Sequence, residues 1–190
     1  MTTSTGRALL DAEKILREVG LSAGQTYVDF GCGSLGHFVT PAAALVGPKG
    51  QVYAFDILPE VLEAINERAR AENILPLETV WGDLEHLKGT EKIPANSVDL
   101  ASLINITGLL LKSEQAVNNI KRVLKAGGHL LLVDWSPNSS LAGFMSIHPT
   151  DPAKLKETLE AHGFRLLKSF MAGRNHFGFL FENVKIKNYV

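Results

Sequence analysis

A glycine-rich loop early in the chain has the composition of a turn that binds an anionic group. In the stretch VDFGCGSLGHF, Gly31, Gly33 and Gly36 have the spacing of loops that bind nicotinamide dinucleotides. Glycines let the backbone pass close to a ligand, and free N–H groups at the start of the next helix favour a pyrophosphate or a carboxylate. The pattern alone is a weak signal, because a turn that merely needs positive φ angles has the same composition.

Three aspartates accompany this loop and change its interpretation. Asp29 lies two residues ahead of the first glycine, where its charge would repel a pyrophosphate. Asp56, in VYAFDILPE, could accept hydrogen bonds from both hydroxyls of an adenosine ribose and would repel a 2′-phosphate. Asp83, in WGDLEHL, could accept a hydrogen bond from the exocyclic amine of adenine. Singly, Asp56 could cap a helix and Asp83 could be a turn residue.

Together the three aspartates predict a pocket for an ammonium, a ribose and an adenine, all of which S-adenosylmethionine contains beside its sulfonium. An NAD-binding oxidoreductase is the alternative, and it leaves Asp29 and Asp83 unexplained.

Methyl transfer from a sulfonium requires mainly that donor and acceptor are aligned. A general base is useful only when the acceptor carries a proton at neutral pH. The two candidates are His37, beside the glycine loop, and His148, in the loop after the fifth predicted strand. No metal site is expected, because no cluster of His, Asp or Glu residues has the spacing of metal ligands. Four further histidines are expected to be structural or exposed: His86, His129, His162 and His176.

Strands and helices alternate along the chain and would place these residues at one edge of a sheet. Predicted strands cover 26–30, 51–55, 77–81, 98–104, 129–135, 164–171 and 176–184, and predicted helices cover 8–19, 37–46, 59–72, 113–124 and 152–163. This order predicts an α/β fold: a Rossmann-like doubly wound sheet of about seven strands, mostly parallel, with an antiparallel C-terminal hairpin strand and helices on both faces. Ligands of such sheets lie at the carboxyl ends of the strands.

The composition excludes several classes of partner. The net charge is −1, with 19 basic and 20 acidic residues and no basic cluster, so neither a nucleic acid nor a membrane surface is expected as a partner. A single cysteine excludes an internal disulfide. No apolar stretch resembles a signal peptide or a membrane span, which predicts a cytoplasmic protein. The oligomeric state is left open.

Five segments that occur in order resemble the class I S-adenosylmethionine-dependent methyltransferases: YVDFGCGS, VYAFDI, WGDLE, SVDLASLIN and IKRVLKAGGHLLLVDW. The sequence is most similar to the small-molecule branch that includes ubiquinone/menaquinone-biosynthesis and arsenite methyltransferases, over about residues 8–183. The resemblance implies S-adenosylmethionine as cofactor, S-adenosylhomocysteine as product and a small-molecule methyl acceptor. It implies a seven-stranded sheet with an antiparallel last strand.

The resemblance also implies a set of cofactor-binding residues. The loop would hold the methionine part of the cofactor. Asp56 would bind the ribose, with Ile57 beside the adenine, and Asp83 would bind the adenine amine. Asn105 and the adjacent Ile106 would line the sulfonium side. The loop residues are Asp29, Phe30, Gly31, Cys32, Gly33 and Ser34, and the residues flanking Asp83 are Gly82 and Leu84.

The sequence departs from the family pattern at two places. Leu35 stands where a third loop glycine is usual, with Gly36 one position late. The His-Glu pair of many relatives is replaced by residues of the segment NITGLLLKSEQ, which motivates a non-catalytic S-adenosylmethionine-binding protein as a further alternative. With 1 cysteine, arsenite is not expected as the acceptor. We expect one methyltransferase domain over 1–190, with an N-terminal helical cap (1–24), a cofactor-binding core (25–135) and an acceptor-side loop, helix and hairpin (136–190).

Overall fold

A computed structural model describes residues 10–139, 141, 144 and 147–184. The helices are α1 (Ala12–Glu18), α2 (Val39–Val46), α3 (Pro59–Glu72), α4 (Glu114–Val123) and α5 (Pro152–Ala161), with 3-10 helices at Gly47–Lys49 and Thr107–Leu111. The strands are β1 (Thr26–Phe30), β2 (Gln51–Asp56), β3 (Leu77–Trp81), β4 (Val98–Ile104), β5 (Leu124–Trp135), β6 (Phe164–Gly173) and β7 (His176–Asn183).

One seven-stranded sheet has the order β3-β2-β1-β4-β5-β7-β6. The first five strands are parallel, and β7 lies antiparallel between β5 and β6. The strand order reverses at β1, between β2 and β4, so the carboxyl ends of these strands meet beside a topological switch point. The predicted fold class is confirmed.

Helices cover both faces of the sheet. On one face α1, α2 and α3 bury side chains such as Leu16, Ala42 and Ile65. On the other face α4 and α5 bury Ile120 and Leu155. Apolar strand residues alternate between the two layers, which explains why β5 reads as a nearly continuous apolar run.

Several element boundaries differ from the predictions. Helix α1 begins at Ala12 because the Asp11 side chain accepts a hydrogen bond from the Lys14 N–H at 3.1 Å and caps it; the predicted start at residue 8 lies outside the described residues. Helix α2 begins at Val39, after a series of turns. Strand β5 begins at Leu124 rather than 129, because the segment 125–128 bulges out of the ladder and pairing with β4 resumes at His129.

Candidate cofactor and acceptor site

The glycine loop leaves β1 at Gly31 and turns against the end of β2. Gly31 and Gly33 have φ angles of 71° and 62°, which favour glycine. The N–H groups of Gly31 and Cys32 donate to the Phe55 carbonyl at 2.8 and 3.1 Å. A Cβ on Gly31 would lie 2.5 Å from Ile106 Cδ1. The absence of a side chain at Gly31 is therefore what lets the segment after β4 approach the loop.

The contacts of Gly36 explain why this loop has a glycine one position later than the family pattern. Its N–H donates to the Gly33 carbonyl at 3.1 Å, and its own carbonyl accepts from the Thr40 N–H at 3.1 Å, so it both closes a turn and starts the hydrogen bonding of the next helix. Its φ angle is 54°, and an added Cβ would lie 2.7 Å from Ile65 Cδ1 on α3. Leu35 is the exposed tip of the longer turn. The glycine at 36 therefore lets the loop pack against α3.

Asp29 is a buried carboxylate at the end of β1. Ser102 on β4 donates a hydrogen bond to its Oδ1 at 2.6 Å, and the Tyr27 hydroxyl lies 2.6 Å from Ser102 Oγ. Burial raises the pKa of Asp29 from 3.8 to about 7; the Ser102 hydrogen bond opposes this shift and the charge of Asp56 adds to it. A buried acid of this kind becomes fully ionised when a cation is placed beside it.

Asp56 shapes the loop from the end of β2. Its Oδ2 accepts from the Gly33 N–H at 3.2 Å and its Oδ1 from the Leu58 N–H at 3.1 Å. The side chain is buried. Each carboxylate oxygen has a further lone pair, so the group can also accept from ligand hydroxyls. The turn role and the ribose role can thus coexist.

Asp83 lies at the outer side of this edge. Its Oδ1 accepts from the Glu85 N–H at 2.8 Å, so it stabilises a turn, as one of its two interpretations requires. It lines a cavity of about 370 Å³ together with Ile57, Trp81 and Gly82. Trp81 donates its indole N–H to the Ile57 carbonyl at 2.9 Å. This cavity contains the residues expected beside the adenine.

Two of the expected cofactor residues point their side chains elsewhere. Phe30 is fully buried and packs edge-on against Phe55, with ring centroids 5.0 Å apart. Leu84 is buried in the same core. Because both belong to the α4/α5 face, only their backbone atoms can meet a ligand. Ser34 is exposed on the loop. Cys32 is buried, and burial raises the pKa of its thiol far above the ordinary value, which disfavours a thiolate nucleophile.

A second cavity, of about 300 Å³, opens beside the glycine loop. Its polar lining includes Asp29 at the end of β1 and Asn105 after β4. Asn105 has a φ angle of 61°, and its N–H donates to the Val133 carbonyl at 2.8 Å. The described residues that line the cavity are Leu10, Asp29, Gly31, Cys32, His37, Phe38, Ile104, Asn105, Trp135 and His176.

The histidines that line this cavity are His37 and His176. His37 lines the cavity, and its Nε2 lies 3.0 Å from the Leu10 carbonyl. His148 is exposed and lines neither of these two cavities. His176, which was expected to be structural or exposed, is buried, lies opposite Trp135 in the β5–β7 ladder and lines the cavity. This pairing depends on β7 entering the sheet beside β5, which no local sequence pattern indicates.

A buried aspartate at the end of β5 anchors the surrounding loops. Asp134 accepts from the N–H of Thr107 at 3.2 Å, from its hydroxyl, and from the Thr150 hydroxyl at 3.1 Å. The Trp135 N–H donates to its other oxygen at 2.8 Å. Thr107 begins the 3-10 helix in the segment NITGLLLKSEQ, and its contacts with Asp134 give this residue a structural role.

No group of three or more His, Cys, Asp or Glu residues in the described part of the chain is arranged to hold a metal ion. Among the described helices, none combines the length and the apolar character that crossing a bilayer requires.

The sequence matches known methyltransferases. A family model described as a methyltransferase domain matches residues 21–173. The ubiquinone/menaquinone biosynthesis C-methyltransferase UbiE of Pseudomonas putida is 30% identical over 118 residues, which cover 62% of this chain and 44% of that protein. UbiE of Salmonella arizonae is 26% identical over 156 residues, covering 78% of this chain and 59% of that protein. The chain therefore spans about half the length of these curated relatives.

Solved structures share the fold. A SAM-dependent methyltransferase from Aquifex aeolicus superposes with a TM-score of 0.76 at 24% identity, covering 93% of this chain and 91% of that one. Geranyl diphosphate C-methyltransferase from Streptomyces coelicolor, solved with Mg²⁺, geranyl diphosphate and S-adenosylhomocysteine, gives 0.71 at 13% identity over 91% of this chain and 78% of that one. None of these matches supports a nicotinamide-dependent oxidoreductase. The chain belongs to the methyltransferase domain family, and within it to the class I S-adenosylmethionine-dependent methyltransferases.

Proposed function

We propose that this chain transfers a methyl group from S-adenosylmethionine to a small-molecule acceptor. The observation that carries the proposal is the pair of buried carboxylates, Asp29 and Asp56, on either side of a glycine loop with a cavity beside it. Such a pair suits a ligand that has a positive end and a ribose.

The proposed binding roles follow the strand ends. Asp29, with the backbone of Gly31 and Gly33, would hold the methionine part; Asp56 would hold the ribose and Asp83 the adenine amine. Ile57 offers an exposed apolar surface for the adenine ring. No atom lies within 4 Å of a Cβ added at Gly33, so the loop backbone is open there toward a ligand, and the residues present fit the cofactor.

The remaining residues would orient the reaction. When bound, the cofactor supplies a methyl group already activated on a sulfonium. Asn105 and Ile106 lie after β4, where they would line the sulfonium side. The Asp134 contacts hold this segment in place, and the apolar walls at Phe38 and Trp135 keep bulk water away from the acceptor. In-line transfer needs little more than this alignment.

The cavity size supports a small acceptor. About 300 Å³ is at the lower end of the range for small-molecule sites, and most of its lining is apolar. We propose that residues 25–135 form the cofactor-binding core, that 1–24 cap the acceptor side, and that 136–190 complete it. Of these, residues 1–9 and 185–190 and part of the segment 140–146 lie outside the described residues.

Isothermal titration with S-adenosylmethionine and S-adenosylhomocysteine tests the cofactor half of the proposal. We expect saturable binding of both and no fluorescence enhancement of NADH. Gly31→Ala should weaken binding because its Cβ would force the Ile106 side chain to move, whereas Gly24→Ala, with φ of 83° and no atom within 4 Å of the new Cβ, should not. Absence of binding at millimolar ligand would refute the proposal.

The transfer half needs a separate experiment. Tritium transfer from methyl-labelled S-adenosylmethionine to a panel of small hydroxyl, amine, thiol and carbon acceptors should give at least one labelled product. Binding without transfer to any member of the panel would instead support the non-catalytic alternative.

A further inference from the structure

His176 carries two buried hydrogen-bonding atoms that have no partner among the residues the structure describes. Within the described residues, three buried side-chain polar atoms lack a partner, and two of them are the ring nitrogens of His176. Its side chain is only 1% exposed. Buried polar atoms are rarely left unpaired in folded proteins, because each costs about 1–3 kcal/mol of desolvation. An orphaned ring at the wall of a cavity indicates a position for a ligand.

The register of the sheet places this ring at the acceptor cavity. His176 begins β7 directly opposite Trp135, the last residue of β5, and their ring centroids are 4.3 Å apart. Both rings line the cavity that also contains Asp29 and Asn105. The imidazole therefore lies in the same cavity as the loop that would hold the methionine part, on a wall built by different strands.

His37, the other histidine in this cavity, is differently placed. Its Nε2 lies 3.0 Å from the Leu10 carbonyl, which occupies one ring nitrogen. Neither ring nitrogen of His176 has a partner among the described residues, and an imidazole can accept a proton with one nitrogen and donate with the other.

The surroundings keep the His176 ring neutral. Burial lowers the pKa of His176 below its ordinary value of 6.5, and the negative charge of Asp134 partly opposes this shift. The other titratable groups lining the cavity are Asp29, Cys32 and His37. A neutral imidazole has a free acceptor nitrogen, which a general base needs.

We infer that His176 binds the nucleophilic O–H or N–H group of the methyl acceptor and takes up the proton of that group during transfer. The inference rests on the proposed function. The acceptor that fits this cavity is an apolar molecule with one nucleophilic O–H or N–H group, because most of the cavity lining is apolar or aromatic.

Atoms and charge are conserved in this methyl transfer. The acceptor proton moves to a ring nitrogen of His176. The lone pair on the acceptor atom forms the new bond to the methyl carbon. The electron pair of the broken carbon–sulfur bond stays on sulfur, which becomes the neutral thioether of S-adenosylhomocysteine. The protonated imidazole then returns its proton to solvent.

Nitrogen NMR of the histidine rings tests this inference without turnover. The protein, saturated with S-adenosylhomocysteine, is titrated with phenol and, separately, with toluene, which has the same ring without the hydroxyl. We expect phenol to move the unprotonated His176 nitrogen toward the position of a hydrogen-bonded one, and toluene not to do so. His129, at the opposite end of the β5–β7 ladder, should not respond to either probe. His176→Phe should assign the signal and leave the affinity for S-adenosylhomocysteine within about threefold.

The outcomes separate the two proposals. If S-adenosylhomocysteine fails to bind the wild type, the proposed function fails and the inference falls with it. If it binds but phenol leaves the His176 nitrogens unchanged, or toluene moves them equally, the inference is overturned and the proposed function stands. For any acceptor the wild type methylates at oxygen or nitrogen, His176→Asn should lower kcat by about 100-fold or more, and His129→Gln should leave it unchanged.

Discussion

The raised pKa of Asp29 predicts that cofactor binding releases a proton. In the free protein this carboxyl has a pKa of about 7, chiefly because it is buried. An ammonium or sulfonium beside it favours the ionised form and lowers the pKa. Below pH 7 the free protein holds a proton that the complex does not, so binding must expel it and the affinity falls.

The size of the effect follows from proton linkage. If the pKa falls from about 7 to near 4 in the complex, about 0.9 proton is released per ligand at pH 6 and about 0.1 at pH 8. The apparent Kd for S-adenosylmethionine should then be about tenfold higher at pH 6 than at pH 8, a difference of about 1.4 kcal/mol.

Isothermal titration at both pH values, in two buffers of different ionisation enthalpy, measures the affinity and the proton count together. Asp29→Asn should remove the proton release and bind more weakly at pH 8. Ser102→Ala should move the transition to higher pH, because the Ser102 hydrogen bond lowers the pKa of Asp29. Equal affinities at pH 6 and pH 8, or the same proton release from Asp29→Asn, would refute this reasoning.

Four further predictions concern binding and stability. Asp56→Ala should weaken binding of S-adenosylhomocysteine by about 1.5–3 kcal/mol in calorimetry, because a hydrogen-bonding carboxylate is lost; unchanged affinity would contradict the ribose assignment. In urea unfolding, Gly36→Ala should cost roughly 1–3 kcal/mol more than Gly24→Ala, since both have positive φ but only Gly36 also crowds α3; equal losses would contradict that packing argument. Asp134→Ala should cost about 3–5 kcal/mol, because its loss leaves buried donors unpaired; a loss below 1 kcal/mol would count against the network. The folded pKa of Asp29 lies above its ordinary value, so the free protein should lose stability as the pH rises from about 4 through 7, and Asp29→Asn should flatten that part of its Tm profile.

The sequence predicts the fold and the strand-end carboxylates because both depend on short-range patterns. Alternating apolar runs and helix caps such as Ser113 and Asp151 locate the elements. Right-handed crossovers then bring the ends of β1, β2 and β3 to one edge, and Asp29, Asp56 and Asp83 with them.

What the sequence does not show depends on long-range packing. Phe30 and Leu84 belong to segments that we expect to bind the cofactor, yet their side chains are buried in the core beneath α4 and α5. The partner of Asp29 is Ser102, 73 residues away on β4. His176 reaches the cavity only because β7 inserts between β5 and β6, which sets it opposite Trp135.

A crystal structure with S-adenosylhomocysteine tests the central claim most directly. We expect the ribose hydroxyls to bind Asp56, the adenine amine to bind Asp83 and the amino group to bind Asp29. The sulfur should face the cavity that contains His176. An adenosyl group bound away from the carboxyl ends of β1 and β2, or a sulfur directed away from that cavity, would contradict it.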